Sequence, residues 1–215
     1  MTDPSSPSLH KRLFAWAMAR SGTAYEAANE ARKRALFGSL HGAILEIGPG
    51  AGSNLRFFPP DAQWTGVEPN PYMHPYLLRT ITDLGRPRDR YRIDSGDPRG
   101  VRLPAKDASM DAVVSTLVMC SLPQPEDSLQ EILRVLKPGG RFAFIEHVAA
   151  PPGTRRRTAQ DFIQPLWTWI GDGCHPNRET WRAIQGAGFA RVELEHYLVD
   201  GGGIASPHIA GTALK

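Results

Sequence analysis

The chain has few cysteines, no long apolar run and no strong excess of either charge, and each shortage excludes a class of protein. Its 215 residues include two cysteines, Cys120 and Cys174, too few for a disulfide scaffold. Their spacing matches no zinc motif, so no metal site is expected. There is no secretory leader, and no apolar run approaches the roughly 18 residues of a membrane span, so a cytoplasmic location is expected. Net charge is only +3. Basic residues gather at Lys11-Arg12, Arg32 to Arg34, the alternating Arg86 to Arg92, and Arg155 to Arg157, without forming an aromatic-studded basic stripe. Nucleic acid is therefore not an expected partner, and any contact with an anionic membrane surface is weak. Repeats and low-complexity blocks are missing. What remains, 41% apolar and 22% charged, is an ordinary globule large enough for one well-buried core, with a monomer as the default.

The informative stretch is Ile44-Leu-Glu-Ile-Gly-Pro-Gly-Ala-Gly52, an apolar strand running into a glycine turn. Gly48, Gly50 and Gly52 omit side chains where backbone must approach a ligand. Glu46 precedes the turn, and Glu68 follows a second apolar run, Trp64 to Val67. Strand, glycine turn, helix, strand and acid form a nucleoside site in which the second acid accepts hydrogen bonds from ribose hydroxyls. The glycines do not follow the dinucleotide spacing, and Pro49 lies in the turn. Glu46 would repel a pyrophosphate but suits an amino group. S-adenosylmethionine, which has a ribose and an ammonium but no phosphate, fits better than NAD.

Strands are expected near 43–47, 63–68, 90–94, 111–116 and 141–148, alternating with helices near 53–58, 71–84 and 127–136. The 127–136 helix carries Leu129, Ile132, Leu133 and Leu136 at helical spacing, and Lys137-Pro-Gly-Gly140 stops it. Such alternation predicts a parallel sheet with right-handed crossovers. Leu9 to Arg20 and Ala24 to Leu40 read as helices, giving an N-terminal helical cap over 1–40 and a core over 41–215. A helix over Glu179 to Ala187 and two late strands, Arg191 to Tyr197 and His208 to Leu214, complete the pattern. The late strands, joined by a loop holding Gly201 to Gly203, predict an antiparallel pair.

Glu46 to Gly52 resembles motif I of the class I S-adenosylmethionine-dependent methyltransferases, and Glu68 their ribose-binding acid. The Leu-Lys-Pro-Gly-Gly turn before the fifth strand is similar too. Five later segments resemble the methyltransferase-like family that contains animal alkyl-thiol methyltransferases: Ser115 to Ser121, Ile145 to Val148, Ile170 to Cys174, Arg178 to Trp181 and Pro207 to Gly211. The resemblance implies a doubly wound, seven-stranded, mostly parallel Rossmann-like α/β sheet with an antiparallel C-terminal pair, and a methyltransferase acting on a small molecule. It implies cofactor contacts from Tyr25 in the cap, the glycine turn with Pro49, Glu68 with Pro69, Gly96 with Asp97, and the backbone of Thr116, Leu117 and Val118. Near Ser95 to Pro104 this chain departs from the family pattern, with two extra residues and no Glu. Animal members carry an N-terminal hydrophobic tether that this sequence lacks.

Methyl transfer is an in-line displacement that needs alignment, exclusion of water and an unprotonated nucleophile. His147, at the end of the fifth strand beside Glu146, is the preferred base, although it could equally hold a loop. Asp172 in Gly171-Asp-Gly-Cys-His175 would orient His147 or meet the substrate. Trp167, Cys174 and His175 are expected in the substrate wall, after an aromatic helical segment from Asp161 to Ile170 that Pro165 kinks or starts. A thiol sulfur is the first expectation for the acceptor; a nitrogen or oxygen of a small molecule or phospholipid headgroup remains open, as does a lyase, cyclase or regulatory protein that binds the same cofactor without transferring methyl.

Overall fold

The computed structural model describes residues 9–20, 23–97 and 102–215. Two helices open the chain, α1 (Leu9–Arg20) and α2 (Thr23–Phe37). The strands are β1 (Ala43–Ile47), β2 (Gln63–Val67), β3 (Tyr91–Asp94), β4 (Met110–Thr116), β5 (Leu136–His147), β6 (Arg191–Leu198) and β7 (Pro207–Leu214). Between them lie α3 (His74–Asp83), α4 (Pro125–Val135), α5 (Arg155–Ile170) and α6 (Thr180–Gly186). They form one seven-stranded sheet in the order β3-β2-β1-β4-β5-β7-β6. β1 to β5 run parallel, and β7 lies antiparallel between β5 and β6. The expected sheet and late pair are therefore present. The chain reverses its strand order between β1 and β4, which puts a crevice at their carboxyl ends.

Each face of the sheet buries its own core. Leu45, Val113, Phe142 and Phe144 pack under α4 and α6, while Ile44, Val114, Ala143 and Ile145 pack under α2 and α3. α4 begins with Pro125 and the acids Glu126 and Asp127, the residues a helix N-terminus favours. Leu129, Ile132 and Val135 are fully buried, whereas Leu133, counted in the apolar stripe, is only half-buried. The helix ends at Val135, before Lys-Pro-Gly-Gly; these four residues belong to β5, which starts at Leu136 rather than 141, and the register with β4 jumps across them from Met110–Leu136 to Ala112–Arg141.

Other boundaries differ from expectation as well. The helix foreseen over 53–58 is a single 3-10 turn, Leu55–Phe57, because the chain turns back at once to start β2. α3 starts at His74, after the turns that follow Glu68. α5 starts at Arg155, where Thr154 caps it by accepting the Arg157 N–H at 3.2 Å, and it runs through Pro165. Among the described residues no helix is long and apolar enough to cross a membrane.

Candidate active site

The glycine turn takes its shape from hydrogen bonds. Gly48 N–H donates to Val67 O at 2.9 Å, tying the end of β1 to β2, and Gly52 N–H donates to Pro49 O at 2.8 Å. Gly48 and Gly50 have φ of 60° and 56°, a region that L side chains avoid. A Cβ on Gly48 would lie 2.6 Å from Val118, whereas one on Gly50 would have no atom within 4 Å. Gly48 is thus a packing requirement, and Gly50 leaves open space facing the cavity.

That cavity, of about 1390 Å³, spans the carboxyl ends of β1, β2 and β4. Gly48 to Asn54 and Glu68 border it on one side, Thr116 to Val118 on a second, and α1, Tyr25, Trp167 and Asp172 on the third. Glu68, 5% exposed, accepts the N–H groups of Gly50 at 2.9 Å and Asn70 at 2.8 Å. Burial raises its pKa. Asn70 in turn donates to Lys11 O in α1, which links Glu68 to the cap. Pro69 and Asp97 also line the cavity. Residues 98–101, at the point where the sequence departs from the family pattern, lie outside the described residues.

Glu46 does not face the cavity. It is fully buried, and its oxygens accept from Asn54 Nδ2 at 2.7 Å and Trp64 Nε1 at 2.9 Å. Burial lifts its pKa to about 7. Glu46 is not among the residues that line the cavity. Glu46 holds Asn54, and Asn54 also donates to Thr116 on the cavity rim at 3.0 Å. Trp64 reaches Glu46 by lying over Gly66, whose missing Cβ would otherwise sit 2.2 Å from the indole.

The loop after β4 depends on Glu146. This carboxyl, with no exposed surface, meets the Ser115 hydroxyl and accepts the N–H groups of Val118 at 2.9 Å and Met119 at 3.1 Å. Burial lifts its pKa to about 7. Leu117 is held at φ 58°, a strained conformation for a branched side chain. Asp172, at φ 48°, is the other left-handed non-glycine residue bordering the cavity. Asp tolerates this conformation better than most residues, and the turn after α5 uses it to place a carboxylate there. Arg178 pins the β4 loop by donating to Met119 O at 2.7 Å and Leu122 O at 2.6 Å.

His147, weighed equally as base and as a residue that holds a loop, lies where the second reading puts it. It is 6% exposed and is no part of the cavity lining. Its Nε2 sits 2.8 Å from Cys174 Sγ, and Trp167 Nε1 donates to the same sulfur at 3.2 Å. Cys174 and His175 also lie behind the wall, so Trp167 and Asp172 present the turn to the cavity. The reason is register. His147 pairs with His208 across β5 and β7, which places both side chains on the α2 side of the sheet. Gly96 likewise stays off the lining, closing against Val67. Tyr25 does line the cavity, and its buried hydroxyl has no partner.

Sequence reasoning missed Lys33, Asn54 and Glu146 as support residues. Lys33 is fully buried, bridges both Glu26 oxygens at 2.7 and 2.8 Å, and reaches Ser53 Oγ at 3.3 Å. Its place in a basic triplet suggested a solvated face, and no local signal distinguished it. An S-adenosyl ligand fits the residues present. There is open space over Gly50, a carboxylate at Glu68, carbonyls after β4 and an unsatisfied phenol in the cap.

A methyltransferase-domain family model matches residues 45–144. Thiol S-methyltransferase TMT1B of Rattus norvegicus is 38% identical over 201 residues, covering 86% of this chain and 79% of the relative. Thiol S-methyltransferase TMT1A of Homo sapiens is 34% identical over 215 residues, covering 95% and 87%. Among solved structures, Haemonchus contortus phosphoethanolamine N-methyltransferase 2 in complex with S-adenosyl-L-methionine superposes with a TM-score of 0.65 at 15% identity, covering 94% of this chain and 60% of that one. That likeness speaks for the fold alone, whereas the sequence relatives reach further: the chain belongs to the S-adenosylmethionine-dependent methyltransferase family that includes the thiol S-methyltransferases TMT1A and TMT1B.

Proposed function

We propose that the protein methylates the sulfur of a small thiol with an apolar body. The observation that carries this reading is the cavity lining, in which the carboxylate of Asp172 borders the same space as apolar Phe14, Met18, Leu122 and Trp167. The names of the relatives support sulfur over nitrogen. S-adenosylmethionine supplies a methyl group on a cationic sulfur, so a neutral thioether leaves and no acid is needed. Glu68 and the glycine turn hold the nucleoside, and the carbonyls from Thr116 to Val118 face the amino-acid end. α1 and Trp167 close the acceptor side against water and seat the apolar body. Asp172 accepts the S–H hydrogen bond. As the new carbon–sulfur bond forms, the bond to the cofactor's sulfur breaks and the proton on the acceptor becomes strongly acidic. A carboxylate is then a sufficient base, and it passes the proton to solvent. His147 acts through Cys174 as a positioning residue.

The test is incubation with S-adenosylmethionine and matched sets of thiols, amines and phenols, reading methylated product by mass. Methyl thioethers are expected, and Asp172→Asn should lower kcat about 100-fold while S-adenosylhomocysteine still binds. Methylation of amines or phenols with no thiol turned over would refute the acceptor. Unchanged kcat in Asp172→Asn would refute the base.

A further inference from the structure

Cys120, His147 and Cys174 lie far apart in sequence, yet their ligand atoms all fall within 4.8 Å of one another, and all three residues are buried. Two thiols and an imidazole form a soft donor set of the kind that selects zinc among the available divalent cations. Two further features set this apart from two cysteines packed near a histidine. The His147 ring is 6% exposed and, among the described residues, turns its Nε2 to the thiol of Cys174 at 2.8 Å. The Trp167 indole can only donate, and it aims its N–H at the same sulfur. A neutral thiol accepts weakly, whereas a metal-bound thiolate accepts such bonds well.

The scaffold around the cluster is already tied. His175 N–H donates to Cys120 O at 3.0 Å, and Arg178 bridges the same two loops. Zinc–sulfur bonds of about 2.3 Å and zinc–nitrogen bonds of about 2.0 Å put tetrahedral ligand atoms roughly 3.5–3.8 Å apart, so the cluster needs side-chain shifts of about 1 Å and no backbone change.

We propose that Cys120, His147 and Cys174 form a binding site for one soft divalent cation, Zn²⁺ or its analogues, directly behind the acceptor wall. Both thiols lose their protons to solvent on binding. No fourth His, Cys, Asp or Glu joins the group among the described residues, so the remaining position falls to water or another small donor. The cation would clamp three segments, namely the loop after β4, the end of β5 and the turn after α5. The site stands whether or not the acceptor is a thiol.

The experiment uses the full chain, reduced with a phosphine and stripped with a chelator, then titrated with Co²⁺ and competed with Zn²⁺. One equivalent should bind with a sulfur-to-cobalt absorption band and a rise in Tm. Cys174→Ser and His147→Gln should each weaken binding about 100-fold, and Trp167→Phe about 10-fold. Should Cys174→Ser not fold, His147→Gln together with native mass spectrometry of the wild type still decides the question. No sulfur band in the wild type, or a band retained in His147→Gln and Cys174→Ser, overturns the proposal. A Cys120–Cys174 disulfide that re-forms in the presence of metal also overturns it.

Discussion

Glu146 offers the sharpest test of how this site is supported. Three donors meet its carboxyl: the Ser115 hydroxyl and the N–H groups of Val118 and Met119. Replacing it with Ala leaves the two backbone groups buried without an acceptor, at about 1–3 kcal/mol each. The Ser115 hydroxyl can rotate to another acceptor. The expected loss is about 2–6 kcal/mol, a large share of a typical stability. The loop would also lose the contacts that hold Leu117 left-handed, so S-adenosylhomocysteine should bind at least about 10-fold more weakly, equivalent to about 1.4 kcal/mol. Glu146→Gln should behave differently. With a pKa raised to about 7 by burial, the carboxyl is largely neutral below that pH, and Gln reproduces the neutral form. Its amide nitrogen faces Ser115 and its oxygen accepts both N–H groups. The linkage follows from the sign of the shift. The folded state holds a proton that the unfolded state releases near 4.5, so the contribution of Glu146 to stability is fully present below pH 4.5 and is lost as pH rises to about 7. The span corresponds to about 3 kcal/mol. Urea unfolding across pH 5 to 8 should show Glu146→Gln within about 1 kcal/mol of wild type at the acidic end, with a flatter pH slope and higher stability at pH 8. A loss above about 2 kcal/mol in Glu146→Gln at pH 5, or Glu146→Ala within about 0.5 kcal/mol of wild type, would refute the assignment.

Other expectations follow from the same geometry. Gly48→Ala should cost more than about 2 kcal/mol in urea unfolding, since it adds a clash with Val118 to a left-handed backbone. Gly50→Ala meets no neighbour and should cost about 1 kcal/mol, yet it should weaken S-adenosylhomocysteine binding by calorimetry, because its methyl enters the cavity. Glu68→Ala should lower that affinity about 10- to 100-fold through loss of the ribose contact and release of the Gly50 N–H. Lys33→Met should destabilise by about 1–3 kcal/mol, less than for a fully buried pair because Glu26 keeps some solvent contact. His208 works against the carboxylates: burial lowers its pKa to about 4, so its contribution is present above 6.5 and is lost as pH falls toward 4. His208→Gln should therefore steepen the pH-dependent rise in stability toward acid.

Local patterns carried the architecture and the cofactor loop. The alternation of apolar strands with amphipathic helices sets the parallel sheet, because each period fits one kind of backbone. Glycines at alternate positions before an acid-tipped strand mark the nucleoside turn, because glycine takes those dihedrals without strain and puts no side chain in the ligand's way. Which side of a wall each polar group faces depended on the tertiary structure. Strand register turned His147 away from the cavity, Trp64 and Asn54 claimed Glu46, and the packing of α2 buried Lys33 inside a basic triplet. The meeting of Cys120, His147 and Cys174 depended on it as well, since three segments remote in the chain converge only when the sheet assembles. A sequence records periodicity and spacing along the chain, whereas burial and pairing arise from contacts between segments that fold back on one another.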